Sequence, residues 1–142
     1  MSTLKEIKSA FILQKAMFIV NLAKREILAT MNLAEEIKTP LPLEYFFLLE
    51  KKIKEGVKIT RLAFGEPSEL KIFNKKHKIK SKNYRCFLST TKNYKRMLMV
   101  DGKHLLFAIG VQNKRKFFYT KNPQIIKKFS NYFSQELKIA KD

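Results

Sequence analysis

Two apolar runs, Arg96–Val100 and His104–Ile109, meet across Asp101-Gly102. An Asp-Gly pair between such runs is a strong short-range sign of a two-residue β-hairpin, because both turn positions need a positive φ that Asp and Gly tolerate. The second half of the chain is thereby committed to an antiparallel strand pair, and the surrounding segments must supply its cover.

Leu4, Ile7, Phe11 and Phe18 recur at helical spacing and predict a first helix from about Thr3 to Leu22. Glu26–Met31 reads as a short buried strand. Pro40 and Pro42 mark a break before a second helix over Leu43–Glu55, with Phe46, Leu49 and Ile53 on one face and Gly56 as its stop. Val57–Phe64 alternates apolar and basic residues, as a half-exposed strand does. Residues 65–83 read as a polar, basic loop with one helical turn around Ser68–Phe73, and Tyr84–Leu88 and Phe117–Thr120 as further strands. The clearest helix signal comes last: Asn122 can cap, Pro123 suits the first helical position, and Ile126, Phe129, Phe133, Leu137 and Ala140 form a stripe. The expected class is α/β, a mixed β-sheet covered by helices with a long C-terminal helix, in one domain over residues 1–142.

Forty-five per cent apolar residues in 142 give such a domain enough material for a core. Gln14 and Lys15 interrupt the apolar stretch near the N-terminus, so neither a signal peptide nor a membrane span is expected. The lone Cys86 cannot form an internal disulfide, and a reducing cytoplasm is the expected compartment.

Charge is distributed unevenly. Residues 1–70 hold 11 basic and 9 acidic side chains, whereas residues 71–128 hold 17 basic residues and a single acid, Asp101. A lysine-rich composition explains the abundance of Lys but not the absence of Glu, so a one-signed surface for a polyanion, nucleic acid above all, is expected. Its candidate phosphate contacts are Lys75, Lys76, Lys78, Lys80, Lys82, Arg85, Lys95, Arg96, Lys114, Arg115 and Lys116. Tyr84, Tyr94 and Tyr119 are the aromatics nearest to basic residues.

Catalytic signals are sparse. His77, His104 and Cys86 lie at no metal-ligand spacing, the four glycines build no phosphate loop, and no serine has a nucleophile-elbow context. Neither a metal nor a cofactor is expected.

Tyr94-Lys95-Arg96-Met97-Leu98-Met99-Val100-Asp101 resembles the HxKxxxxD element of the phospholipase D superfamily, and Ile109-Gly110-Val111-Gln112-Asn113 resembles the Ile-Gly-Ser-x-Asn that follows it. Glu55-Gly56-Val57-Lys58-Ile59 is similar to the family's "rGVkVr" step. Phe118-Tyr119-Thr120-Lys121-Asn122-Pro123 and Tyr132-Phe133 are similar to the sensor domains of archaeal TrmB-type transcription regulators. The resemblance implies a phospholipase D-like half module that pairs as a homodimer. It makes Tyr94, Arg96, Asp101 and Asn113 a vestigial motif. In the family the motif His takes the phosphoryl group; here Tyr94 stands in its place, Arg96 replaces Lys and Val111 replaces Ser. Cleavage by the family's route is therefore not expected, while Arg96 keeps a bidentate, permanently charged phosphate donor. The expected function is a non-catalytic sensor or dimerisation module that binds nucleic acid; the alternative is a phosphodiesterase or nuclease with altered catalytic residues. A TrmB-type regulator carries a winged helix-turn-helix ahead of this domain. None is expected ahead of Leu22, so either the domain stands alone or its reader domain lies elsewhere, and a helix-turn-helix partner or a small ligand stays open.

Overall fold

A computed structural model describes residues 4–110 and 114–141. The hairpin expected around Asp101-Gly102 is present as β5 (Met97–Val100) and β6 (His104–Ile109), with positive φ at Asp101 and Gly102. Val100 pairs with His104, so the loop holds three residues rather than two, Lys103 N donating to Val100 O at 3.0 Å. It lies within a seven-stranded mixed sheet. The other strands are β1 (Lys5–Ile7), β2 (Glu26–Asn32), β3 (Lys58–Phe64), β4 (Tyr84–Ser89) and β7 (Lys116–Thr120), in the spatial order β1-β7-β6-β5-β2-β3-β4. β2, β3 and β4 run parallel to one another, and the remaining neighbours are antiparallel.

Alternation along the strands builds two cores. Ile27, Ala29 and Met31 of β2, Ile59 and Ala63 of β3, and Leu98 and Val100 of β5 point to one face. There they meet α1 (Ile12–Asn21), α3 (Leu43–Lys54) and α4 (Pro67–Lys76) through Ile19, Val20, Phe46, Leu49 and Phe73. Leu62, Phe64, Met97, Met99, Leu105 and Phe107 point to the other face. They meet Ile126, Tyr132 and Phe133 of α5 (Pro123–Lys141), each such burial contributing roughly 1.5–3 kcal/mol. Asn122 caps α5, its Oδ1 accepting from the backbone N–H groups of Gln124 at 2.9 Å and Ile125 at 3.2 Å.

Four local expectations change. The first helix starts at Ile12, not Thr3. Residues 5–7 are instead an edge strand on β7, followed by a 3-10 turn over Ser9–Phe11. The stripe that suggested the longer helix is largely exposed, with Phe11 at 55% and Phe18 at 59%; Ile19 and Val20 are the buried residues. β3 is not half-exposed, because helices cover both faces of a parallel strand; its Arg61 is 3% exposed. The loop after β3 holds ten residues of helix, α4, where Glu69 Oε1 accepts from Glu66 N at 2.8 Å and Pro67 opens the first turn. Finally, a short helix follows β2 directly: α2 (Leu33–Lys38) starts where Asn32 Oδ1 accepts from Glu35 N at 3.2 Å.

Candidate phosphate-binding cleft

The antiparallel pairing of β5 with β2 brings the start of β5 to the C-terminal ends of β2, β3 and β4. The end of β6 and the start of β7 join them there. The loop that carries Tyr94, Lys95 and Arg96 enters β5 at this end, and it is held from two sides. From α5, the Tyr132 hydroxyl donates to Asn93 O at 2.6 Å and accepts from Lys95 N at 2.8 Å. The buried Glu136 carboxylate accepts from the Thr91 hydroxyl at 2.7 Å and from Asn93 Nδ2 at 3.1 Å. From β2, the Thr30 hydroxyl donates to Lys95 O at 2.6 Å and accepts from Met97 N at 3.0 Å. Burial pushes the Tyr132 phenol up, the bond from Lys95 N offsets this only in part, and the ring stays a neutral hydrogen-bonding post. Tyr132→Phe leaves two backbone groups without a partner, so a loss of about 2 kcal/mol is expected, read by chemical denaturation.

Glu35, Tyr94, Arg96, Gly110, Lys114 and Arg115 line a cleft of about 1010 Å³ at this end of the sheet. Gly110 has φ +97, and a Cβ there would lie 2.7 Å from Lys114 O, so glycine is required for the chain to pass this closely. Glu35 holds both arginines. Arg115 Nη2 and Nη1 donate to its two oxygens at 2.6 and 3.2 Å, and Arg96 Nη1 donates to Oε2 at 3.3 Å. The bond from Glu35 raises Arg115 above its ordinary value. The trio keeps one net positive charge; the exposed Lys95 and Lys114 line the same cleft, and the exposed Lys116 follows Arg115 at the start of β7.

Tyr94 occupies the same cleft, its ring against Phe64 at 5.3 Å between centroids. Its hydroxyl is buried and has no hydrogen-bond partner among the described residues. Burial pushes the phenol up and outweighs the pull of Arg96. The proton therefore stays on oxygen; the Glu35 and Glu36 carboxylates act on it through space, but among the described residues none is hydrogen-bonded to it.

Not every expected site residue comes here. Asn113, with Val111 and Gln112, lies outside the described residues. Asp101 is at the far end of the hairpin, where it clamps the entry to β2. Its oxygens accept from the backbone N–H groups of Lys24, Arg25 and Glu26 at 2.9, 2.8 and 2.9 Å. Partial burial acts to raise this carboxyl, but the bonds from Glu26, Lys24 and Arg25 prevail and hold it below the usual carboxylate range. The Lys75–Lys82 run joins the end of α4 to the start of β4, and Arg85 follows on that edge strand. The strand directions place this group at the end opposite the cleft, so the basic residues form two separated sets. Glu35, Glu36, Arg61 and Glu136 were not singled out from sequence. For Glu35 a signal was available, Asn32-x-x-Glu35 before an acidic first turn; the other three carry none.

No family model matches the chain, and no curated protein is significantly similar to it. Solved structures do match. TrmBL2, an archaeal chromatin protein whose structure shows a novel mode of DNA binding, superposes with a TM-score of 0.70 at 17% identity, covering 98% of this chain and 53% of that one. NucT from Helicobacter pylori superposes with a TM-score of 0.66 at 11% identity, covering 97% and 96%. Nuc from Salmonella typhimurium, a phospholipase D family member, superposes with a TM-score of 0.60 at 11% identity, covering 97% and 94%. The chain has the phospholipase D-like fold. It spans about half the length of the archaeal chromatin protein. Among the described residues, no helix of this phospholipase D-like chain is long and apolar enough to cross a membrane.

Proposed function

We propose that this chain is a non-catalytic phospholipase D-like domain that binds nucleic acid by its phosphates along the cleft, acting as a sensor and dimerisation module of a transcription regulator. The observation that carries the reading is Tyr94: a neutral phenol whose hydroxyl is bonded to no base among the described residues stands where the superfamily places its nucleophile. The exposed Lys95, Lys114 and Lys116 around the Arg96–Glu35–Arg115 trio supply positive charge that a phosphate backbone can neutralise. The likeness to a chromatin protein with a described mode of DNA binding supports the same partner. Phe11, Phe18 and Phe47, left exposed on and beside α1 and α3, support pairing with a second copy.

The test is a salt series with duplex DNA, read by fluorescence anisotropy, alongside turnover of a chromogenic phosphodiester. The expected result is a logarithmic affinity that falls linearly with log salt, by about 0.9 per phosphate contacted. No turnover above that of Tyr94→Phe is expected. Absence of binding at low salt would sink the reading. A second reading, a phosphodiesterase with altered catalytic residues, is favoured by the match to Nuc over nearly the whole of both chains; turnover that disappears in Tyr94→Phe would establish it.

A further inference from the structure

Beneath the cleft, between the sheet and α1, lies a second hollow of about 110 Å³. β3 places Arg61 on its wall, in a cross-strand row that reads Leu98, Ala29, Arg61, Cys86. Arg61 is 3% exposed, and its guanidinium lies 5.9 Å from the Phe46 ring centroid and 5.6 Å from that of Phe73. Those rings stabilise a cation by their quadrupoles but provide no countercharge. Among the described residues no carboxylate comes within 4.0 Å of Arg61, and its Nη1 donates to nothing.

Two further residues that line the same hollow each carry a buried polar atom without a partner. Glu36 Oε2, from α2, is buried and unbonded, and so is the Tyr94 hydroxyl from the loop before β5. Isolated orphans of this kind are rare, because leaving one unsatisfied costs about 1–3 kcal/mol and an unpaired buried charge costs more. Here three of them sit on residues, from three different elements, that line one cavity. Leu13, Ala16, Met31 and Leu106 give the hollow an apolar side, and Thr30, Tyr45 and Arg96 are its other polar residues.

Water alone fits poorly. A hollow of this size has room for roughly three or four water molecules at about 30 Å³ each, and these could satisfy the hydrogen bonds. They would leave Arg61 without an ion-pair partner in contact. Glu36 acts on it only through space: its carboxyl favours the Arg61 charge, burial pushes that carboxyl up against the pull of Arg61 and Arg96, and the two side chains form no ion pair. An anion with one polar end and a short apolar body meets all parts of the wall. Inorganic phosphate, polar on every side, would leave oxygens against Leu13, Met31 and Leu106.

We propose that this hollow binds a short aliphatic carboxylate, its oxygens on Arg61 Nη1, the Tyr94 hydroxyl and the Glu36 carboxyl, and its hydrocarbon among Leu13, Ala16 and Leu106. Tyr94, Arg96 and Phe107 line both this hollow and the cleft above it, so the carboxylate sits directly under the basic surface. The site does not depend on whether that surface binds nucleic acid.

The experiment uses propionate as the probe and inorganic phosphate and chloride as comparisons. Binding is read by calorimetry and by the rise in melting temperature at constant ionic strength, since a ligand of the folded state stabilises it saturably. Saturable binding of one propionate per chain is expected, weakened roughly ten- to hundredfold in Arg61→Met. Ala16→Leu fills the hollow while keeping every polar group, and is expected to abolish binding. It decides the matter if Arg61→Met does not fold. The proposal is overturned if propionate acts no differently from chloride, if phosphate binds as tightly as propionate, or if propionate binding survives Ala16→Leu.

Discussion

Asp101→Ala is expected to lower the free energy of unfolding by about 4 kcal/mol, measured by guanidinium denaturation. Three backbone donors at the entry to β2 lose a charged acceptor together, and hydrogen bonds to charged groups contribute about 1.5–3 kcal/mol each, not additively. Alanine must also hold the positive φ of 55° at this turn, which costs roughly 1–2 kcal/mol. Asp101→Asn keeps the turn and one acceptor oxygen and should lose about half as much. The pH dependence follows from the sign of the shift. The folded carboxyl titrates below the unfolded value of about 3.9, so its contribution is complete above that pH and is lost as pH falls through the folded value. The wild-type curve should therefore drop more steeply below about pH 4 than that of Asp101→Asn. A loss under about 1 kcal/mol in the alanine variant would show that the clamp is not what holds β2 to the hairpin turn.

Replacing Lys95, Lys114 and Lys116 together by Gln is expected to weaken duplex DNA binding by about 10²–10³-fold near 0.1 M salt and to flatten the salt slope by about 2.7. Three exposed ammonium groups leave this end of the sheet, two of them from the cleft itself, while the Arg96–Glu35–Arg115 trio and the pins from Tyr132 and Thr30 remain, so the fold should be untouched. The matched control replaces Lys78, Lys80 and Lys82 at the opposite end of the sheet. If both triple variants lose affinity alike, the duplex recognises net charge and the cleft has no special part in binding.

Much of the architecture is legible in the chain because it rests on local chemistry. Asp101-Gly102 takes the positive φ values of a tight hairpin turn whatever surrounds it, and Asn122-Pro123 starts α5 by capping and by a preset φ. The misread segments are those where tertiary context outweighs local pattern. Residues 5–7 carry a helical apolar spacing, yet become a strand because β7 offers an unpaired edge. Arg61 makes β3 look amphipathic, yet it is buried, since the alternation of a strand cannot say whether a helix lies over the basic side. α2 is only six residues long, too short for periodicity to register.

The site divides in the same way. Sequence alone determined that a tyrosine and an arginine replace the first two motif residues, that a phospholipase D-like order of elements is present, and that acids are nearly absent from residues 71–128. Only the tertiary structure decided where those charges act. Strand direction sends Lys114 and Lys116 to one end of the sheet and Lys75 to Lys82 to the other. Glu35 meets Arg115 across 80 residues, and the orphaned groups of Glu36, Arg61 and Tyr94 come from three distant segments. Contacts at such separations depend on register and crossover direction, which are properties of the closed sheet and of no stretch of the chain by itself.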